Sequence, residues 1–353
     1  MFCNIQALRA VAALMVVFDH WGDHYGGSLQ QVGLLGSTGV DIFFVISGFV
    51  MIQSTWDRPT SAGSFAIGRL VRIVPLYWIC TVAVFVGALA SPSAFRSTGS
   101  DVVHLVESLA FVPYLKASGQ VQPLLFPGWT LNYEMFFYAL FAISLLVRAR
   151  AVRAGLLVAG LVALIVVGQV GHPSGVIARF YTRPILLEFG YGVLLGIGTA
   201  HGGLPGSFRW SGWGLLVGGF GGLLAMEPIF PEIDRGFKVG PFAAMVVLAA
   251  VLLERSGVVV RARSWLLLGA ASYALYLVHP FAGTAVFAVV RRLALAPGAS
   301  ICLSIGMTLA VTIAAGVCMH LWIERPTDRW LRAWLGMRRA SATVPPAAGI
   351  RTV

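Results

Sequence analysis

The sequence predicts an all-α integral membrane protein, a bundle of about ten transmembrane helices with both termini in the cytoplasm. Of its 353 residues, 58% are hydrophobic and only 11% are charged, and the mean hydropathy is +0.84. Soluble domains carry about a quarter charged residues. The composition therefore excludes an ordinary soluble domain and predicts a multi-pass membrane protein.

Apolar segments long enough to cross a bilayer recur along the chain. A transmembrane helix needs about 20 mostly apolar residues, because each residue adds about 1.5 Å across about 30 Å of hydrocarbon. The segments that meet this requirement lie at 5–22, 35–53, 73–91, 129–148, 153–170, 184–201, 211–227, 239–254, 265–290 and 300–323. Segment 101–115 is amphipathic and is expected at the membrane interface or as a re-entrant segment. We therefore expect one membrane domain over 1–326 and a basic cytoplasmic tail over 327–353.

The distribution of positive charge predicts the orientation. With the N-terminus inside, the predicted cytoplasmic loops and tail hold 16 arginines, whereas the predicted outer loops hold 8 arginines or lysines. Cytoplasmic loops of membrane proteins carry such an excess. In a soluble protein the net charge of +11 would indicate nucleic acid. In this composition it indicates the lipid bilayer and its anionic headgroups as partners, and no nucleic acid.

The first span carries a cation and a histidine on one helix face. Residues 9–21 read RAVAALMVVFDHW, without the A-x-A-like site of a cleaved signal peptide. Arg9 and His20 are eleven residues apart, which on an α-helix is three turns plus about 20°, with an axial separation of about 16 Å. Histidine is the side chain best suited to accept a proton near neutral pH. His20 is therefore a candidate base, the alternative being an interfacial histidine whose hydrogen bonds are satisfied.

The second span, GSTGVDIFFVISGFVM, contains a carboxylate at Asp41. An ionisable group in hydrocarbon costs several kcal/mol and usually faces the bundle interior or a wet cavity. A histidine or arginine of the first span is its expected partner, and the glycines of the segment allow close helix approach. The alternative is a packing motif with one structural ion pair.

Two arginines stand at the cytoplasmic start of the third span, in GRLVRIVPLYW. Arg69 and Arg72 are three residues apart, so on a helix they share a face and are able to grip phosphates. Anchoring at the cytoplasmic membrane surface explains the two arginines equally well.

The fourth span begins with PGWTLNYEMFFYAL, which places a carboxylate inside the membrane at Glu134. An intramembrane ionisable residue is by default a candidate for function. Trp129 alone is typical of the aromatic belt, but its proximity to Glu134, with Tyr133 between them, favours a substrate-contacting group.

Histidine and glutamate also occur in later spans. His279 precedes a proline in SYALYLVHP and is a further candidate for substrate contact, whereas Glu188 and His320 are expected to be structural. The four cysteines are scattered and form no CxxC pair, so no metal site is predicted.

Taken together, these stretches resemble the acyltransferase 3 family of bacterial membrane-bound O-acyltransferases. The matching stretches recur in the family's order from residue 5 to about residue 326: IQALRAVAALMVVFDHW, GSTGVDIFFVISGFVM, RLVRIVPLYW, GWTLNYEMFFY, SYALYLVHP and IERP. The first is most similar to the exopolysaccharide-modifying branch. The resemblance implies a multi-pass protein of the bacterial inner (cytoplasmic) membrane.

The resemblance also implies a reaction. An acyl group, typically acetyl, passes from acyl-CoA to a hydroxyl of a saccharide or saccharide-containing acceptor, such as an exopolysaccharide or a lipid-linked glycan. Acyl-CoA is then a co-substrate, with no permanently bound cofactor, and a polysaccharide biosynthesis or export complex is a further expected partner. The family's Arg-x10-His pattern falls on Arg9 and His20, and its Arg-x-x-Arg pattern on Arg69 and Arg72.

Acyl transfer assigns expected roles to the candidates. It needs a base for the hydroxyl proton and a positive group for the developing oxyanion. We expect His20 as the base or as a transient acyl carrier, Asp41 as the carboxylate that orients its imidazole, and Glu134 on the acceptor side. The acyl-CoA donor is expected to be bound by Arg9, Arg69 and Arg72. The acceptor is expected to be bound by Trp129, Tyr133 and His279.

Two other classes of function remain open. A proton-coupled transporter or flippase of envelope glycan precursors would use Asp41, Glu134 and Glu188 as a proton relay. No inverted repeat of the transporter kind is visible in the sequence. A non-catalytic partner in an export complex would tolerate replacement of all these polar residues without a chemical consequence.

Overall fold

The described part of the chain is helical throughout. A computed structural model describes residues 2–23, 36–91, 101–200 and 209–337, and it contains no β-strand within them. The α-helices are α1 (Cys3–Asp23), α2 (Gly39–Thr55), α3 (Ala62–Ala90), α4 (Val102–Leu109), α5 (Gly128–Ser144), α6 (Arg150–Gly171), α7 (Val176–Tyr181), α8 (Leu187–Ala200), α9 (Arg209–Ile229), α10 (Arg235–Lys238), α11 (Gly240–Arg255), α12 (Arg263–Ala270), α13 (Ser272–Arg292), α14 (Pro297–Met319) and α15 (Arg325–Trp334). A 3₁₀ turn (Pro184–Leu186) precedes α8, and a π-helical turn (His320–Glu324) joins α14 to α15.

These helices confirm the all-α membrane class. Four helical stretches are long and apolar enough to cross a membrane, namely α3, α6, α13 and the continuous Pro297–Trp334. Every predicted span overlaps a helix, but 265–290 is two helices, because the chain turns at Ala271 between α12 and α13. The number of spans and the side of the membrane that holds the termini stay predictions. Residues 338–353 of the predicted tail lie outside the described residues.

The second helix lies at the centre of the bundle, where it packs against α1, α8 and α11. Glycine lets the backbones come close at two levels. A Cβ atom at Gly39 would lie 2.4 Å from the carbonyl oxygen of Ala12 in α1, and one at Gly48 would lie 2.2 Å from that of Phe189 in α8. The predicted role of these glycines is therefore confirmed. Their close contacts fix which face of α2 points into the bundle.

Several arginine-bearing loops meet at one end of the bundle, which we call the arginine-rich end. The carboxylate of Glu254 at the end of α11 accepts the backbone N–H groups of Cys3 (2.9 Å) and Asn4 (2.7 Å), so loop 256–262 lies beside the start of α1. Helix α2 runs in the opposite direction to α1, since the ring of Phe49 lies 5.7 Å from that of Phe2. Loop 56–61 consequently emerges at the same end, where it meets the loop that joins α5 and α6.

Candidate functional site

Among the described residues, the predicted site residues gather around two cavities. The first, the central cavity, has a volume of about 100 Å³ and lies between α1, α2, α3, α5 and α13. Its polar lining consists of Arg9, Ser47, Arg69, Arg72, Thr130, Glu134, Tyr138, Ser272, Tyr273 and Tyr276. Because Arg9 stands six residues from the start of α1, the cavity lies about 9 Å below the arginine-rich end.

One carboxylate faces three guanidinium groups in the central cavity. Glu134 accepts a hydrogen bond from the Ser47 hydroxyl (3.1 Å) and a short one from the Tyr138 hydroxyl. The guanidinium of Arg69 lies 5.6 Å from the centre of the Tyr138 ring, a cation–π contact that holds it against the same residue. With Arg9 and Arg72 added, the cavity lining carries an excess of positive charge and is suited to an anionic or strongly polarised ligand.

The third guanidinium is held from the end of α14. Arg72 forms an ion pair with Glu324, with Nη1 and Oε1 3.4 Å apart, and the other carboxylate oxygen lies 2.7 Å from Nδ1 of His320. His320 and Glu324 are the first and last residues of the π-helical turn, and both are buried. His320 therefore has the expected structural role in a specific form, because it supports the carboxylate of Glu324 that positions Arg72. The spacing of four residues between His320 and Glu324 was the sequence signal for this pair.

The second cavity contains two histidines, and we call it the histidine cavity. It has a volume of about 310 Å³ and is lined by residues of α1, of α13 and of the segment before α5. The rings of His20 and His279 are 4.9 Å apart, and the Phe126 ring lies 4.7 Å from that of His20. The structure thus brings together two histidines from predicted spans that are more than 250 residues apart.

Backbone carbonyl groups hold both imidazoles in the same way. Nδ1 of His20 lies 2.9 Å from the Val16 carbonyl oxygen, and Nδ1 of His279 lies 2.7 Å from that of Tyr276. A proton on each Nδ1 leaves each Nε2 as an acceptor. His279 is 2% exposed, and its Nε2 has no hydrogen-bond partner among the described residues. The Nε2 atom of His279 is therefore a buried hydrogen-bond acceptor at the edge of this cavity.

Tyr276 stands between the two cavities. Its side chain lines the central cavity, with the hydroxyl 2.7 Å from the Thr130 hydroxyl and 3.0 Å from the Pro127 carbonyl oxygen. Its own carbonyl oxygen accepts from His279, whose ring centre is 5.8 Å from its own. Tyr276 therefore connects the lining of the central cavity with His279 of the histidine cavity.

The expected contact between Asp41 and His20 is wrong. Both oxygens of Asp41 are taken by Arg235, at 3.0 Å from Nε and 2.5 Å from Nη2, and Asp41 is fully buried. This arginine lies on helix α10, 194 residues after Asp41 in the chain, and its side chain reaches the start of α2. The carboxylate nearest to His20 is that of Asp19, with Oδ2 3.8 Å from Nδ1. Asp41 therefore belongs to the structural ion pair that the sequence left as the alternative.

Three acceptor-side expectations also change. Glu134 lies with the arginines in the central cavity and not with the histidines. Tyr133 is fully buried, its hydroxyl donates to the Phe180 carbonyl oxygen (2.8 Å), its ring stacks on that of Phe180, and it lines neither cavity. Trp129 packs edge-on against Tyr133 and lines neither cavity. Of the acceptor-side residues, His279 alone lies at the histidine cavity.

Comparison with known proteins identifies the family and several relatives of this chain. Residues 4–318 match a family described as an acyltransferase domain. The chain is 35% identical over 301 residues to the exopolysaccharide production protein ExoZ of Rhizobium meliloti (strain 1021), covering 85% of this chain and 92% of that protein. It is 29% identical to the acyltransferase MdmB of Streptomyces mycarofaciens, over 98% of this chain and 95% of that one. It is also 28% identical to the peptidoglycan O-acetyltransferase OatA of Listeria monocytogenes serovar 1/2a (strain ATCC BAA-679 / EGD-e), over 42% of this chain and 25% of that one. No solved structure matches the chain.

Proposed function

Because this chain belongs to the acyltransferase family that matches residues 4–318, we propose that it transfers an acyl group, acetyl in the first instance, from acyl-CoA to a saccharide hydroxyl. The similarity to an exopolysaccharide production protein and to a peptidoglycan O-acetyltransferase supports a glycan acceptor in the bacterial envelope. One observation carries the proposal. A cavity lined by three arginines and a cavity lined by two histidines lie along the same helices, α1 and α13, and Tyr276 of the first cavity holds His279 of the second through its carbonyl oxygen.

The central cavity is the proposed site of the phosphate-bearing part of the donor. Arg69 and Arg72 are each held by a neighbouring side chain, whereas Arg9 lines the cavity without an ion pair among the described residues. Guanidinium groups that are already in place bind phosphate oxygens through charge-assisted hydrogen bonds. Because Arg9 and His20 are about 16 Å apart along α1, Arg9 is proposed as a donor-binding group, with Glu134 holding the local charge balance.

The histidine cavity is the proposed site of proton transfer. As the acceptor hydroxyl attacks the thioester carbonyl, its proton passes to the imidazole nitrogen of His20, a carbon–oxygen bond forms, and the carbon–sulfur bond breaks. The CoA thiolate then takes up the proton from the imidazolium and leaves as the free thiol, which returns His20 to its neutral form. Asp19, 3.8 Å from His20, is placed to favour the imidazolium that forms in between.

Acylation by the purified protein tests the proposed function. Full-length protein in lipid nanodiscs is supplied with acetyl-CoA and an oligosaccharide acceptor, and two products are measured: free CoA thiol and acceptor with the mass of one added acetyl group. Both are expected in equal amounts. Thiol release without a heavier acceptor would indicate hydrolysis, and neither product with any glycan acceptor would contradict the proposal in favour of transport or a non-catalytic role.

Replacing Glu324 by glutamine is expected to raise KM for the acyl donor by tenfold or more and to leave kcat within a few-fold. The change removes the charge that holds Arg72, and a charge-assisted contact of this kind contributes about 1.5–3 kcal/mol. Initial rates at varied acetyl-CoA concentration measure the effect. Asp328→Asn is the matched control, because that carboxylate pairs with Arg332 on α15, outside the cavities. An unchanged KM would mean that Arg72 does not contact the donor.

A further inference from the structure

A third cavity opens at the arginine-rich end, and it has no part in the acyl-transfer step proposed above. This arginine pocket has a volume of about 530 Å³ and lies between loop 56–61 and the connection from α5 to α6. Its charged lining consists of Arg58, Arg148, Arg150 and Arg153. The hydroxyl-bearing residues Thr60 and Ser61 also line it. Among these arginines, Arg150 is engaged by Asp57, with Nη1 and Oδ1 2.8 Å apart.

Arg153 shows that the pocket is more than a set of membrane-anchoring charges. The residue is only 7% exposed, and its Nε and Nη2 atoms have no hydrogen-bond partner among the described residues. An anchoring arginine extends its guanidinium into water. A buried guanidinium without partners is costly. Its place in the lining of a pocket with Arg58 and Arg148 favours an anion as the ligand of that pocket.

The pocket lies in line with the central cavity. On α2, Met51 lines the central cavity and Thr55 lines the arginine pocket, one helical turn or about 6 Å further out. Tyr138 on α5 lines the central cavity, and Leu145, the residue that follows the helix, lines the arginine pocket about 10 Å further along. One elongated ligand is therefore able to lie along both helices with successive parts in the two cavities.

We propose that the arginine pocket binds a phosphate group, the 3′-phosphate at the nucleotide end of the acyl-CoA donor; this inference rests on the proposed function. A phosphate monoester carries a charge of about −1.5 to −2 at neutral pH and accepts paired N–H bonds from a guanidinium. The pocket lining supplies such guanidinium donors from Arg58, Arg148 and Arg153. The pyrophosphate part of the same molecule then lies nearer to Arg9, Arg69 and Arg72. Donor binding is thereby divided between a deep arginine set and an outer one.

Comparing acetyl-CoA with acetyl-3′-dephospho-CoA tests the inference. In wild-type protein, loss of the 3′-phosphate is expected to raise KM by about tenfold to a hundredfold, which corresponds to one charge-assisted pair. Arg153→Ala is expected to raise KM for acetyl-CoA by a similar factor and to leave KM for the dephospho donor unchanged, because the partner of the phosphate is already absent. Equal KM values for the two donors in wild-type protein, or equal increases for both in the variant, would overturn the assignment.

Two further variants guard against a folding defect. Arg148→Ala removes an exposed charge from the same pocket and is expected to act in the same direction with a smaller factor. Arg261→Ala removes an exposed arginine elsewhere at the arginine-rich end and is expected to leave both KM values unchanged. An effect of Arg261→Ala equal to that of Arg148→Ala would reduce the pocket to general surface charge and overturn the inference.

Direct binding separates this inference from the proposed function. Adenosine 3′,5′-bisphosphate carries the phosphate without any acyl group, and calorimetry is expected to show that wild-type protein binds it and Arg153→Ala does not. That result stands even where neither donor is turned over, which would contradict the proposed function alone. Nanodiscs with and without phosphatidylglycerol test a lipid headgroup as the source. Retention of this lipid by wild-type protein and not by the variant, without bisphosphate binding, would overturn the donor assignment.

Discussion

Replacing His20 by alanine is expected to lower the rate of acyl transfer by about a hundredfold to ten-thousandfold, since a positioned general base contributes that much. The side chain lies at the histidine cavity, held by the Val16 carbonyl oxygen and next to the ring of His279. Its removal leaves the central cavity and its arginines in place. The expected signature is therefore a loss of kcat with little change in KM for the donor, measured on purified protein in nanodiscs.

His104→Ala is the control for this variant. Its ring stacks on Tyr114 with centres 4.4 Å apart, and it lines neither the central nor the histidine cavity. Activity of His20→Ala close to that of this control would show that His20 is not the base. Mass spectrometry of acid-quenched His279→Ala protein tests the other role of His20, because a transient acyl carrier retains one acetyl group on its imidazole when deacylation is slowed.

Replacing Asp41 by alanine is expected to destabilise the fold by about 3–5 kcal/mol, the cost of leaving a buried charge without its partner. The partner is Arg235, whose side chain is 19% exposed and donates two hydrogen bonds to the fully buried carboxylate. Chemical unfolding in detergent micelles, followed by tryptophan fluorescence, measures the loss. The molecules that remain folded are expected to keep a kcat near that of wild-type protein, because Asp41 does not contact His20.

The double variant Asp41→Ala, Arg235→Ala makes this prediction sharper. Removing both partners leaves no unpaired charge, so it is expected to be more stable than the sum of the two single losses implies. For the single variant, native stability of Asp41→Ala together with a large loss of kcat would instead support the catalytic role that the sequence predicted.

Much of the candidate site was predictable because its residues are related by helical periodicity or by motif. Arg9 and His20 share a face of one helix, and Arg69 and Arg72 share a face of another. The structure places the three arginines at one cavity and His20 with His279 at another. The pairing of Arg72 with Glu324 was not predicted, since it joins two helices that are distant in the chain.

Hydropathy predicted helices but not every helix end. The segment 265–290 reads as one apolar run, yet α12 ends at Ala270 and α13 begins at Ser272. Gly269 in this stretch packs against Gln6, where a Cβ atom would lie 1.9 Å from the carbonyl oxygen of that residue. The end of α12 is therefore also a place of close contact with α1, and hydropathy averaged over a window of residues does not show such a contact.

By itself, the sequence determined the membrane class, the helical periodicity and the residue types needed for acyl transfer, because these depend on composition and on hydrogen bonds within single helices. Only the tertiary structure decided the partners: Arg235 for Asp41, Ser47 and Tyr138 for Glu134, and the ring of His279 for that of His20. The reason is geometric. A contact between helices depends on their relative rotation and depth, and close packing of all their side chains together sets both.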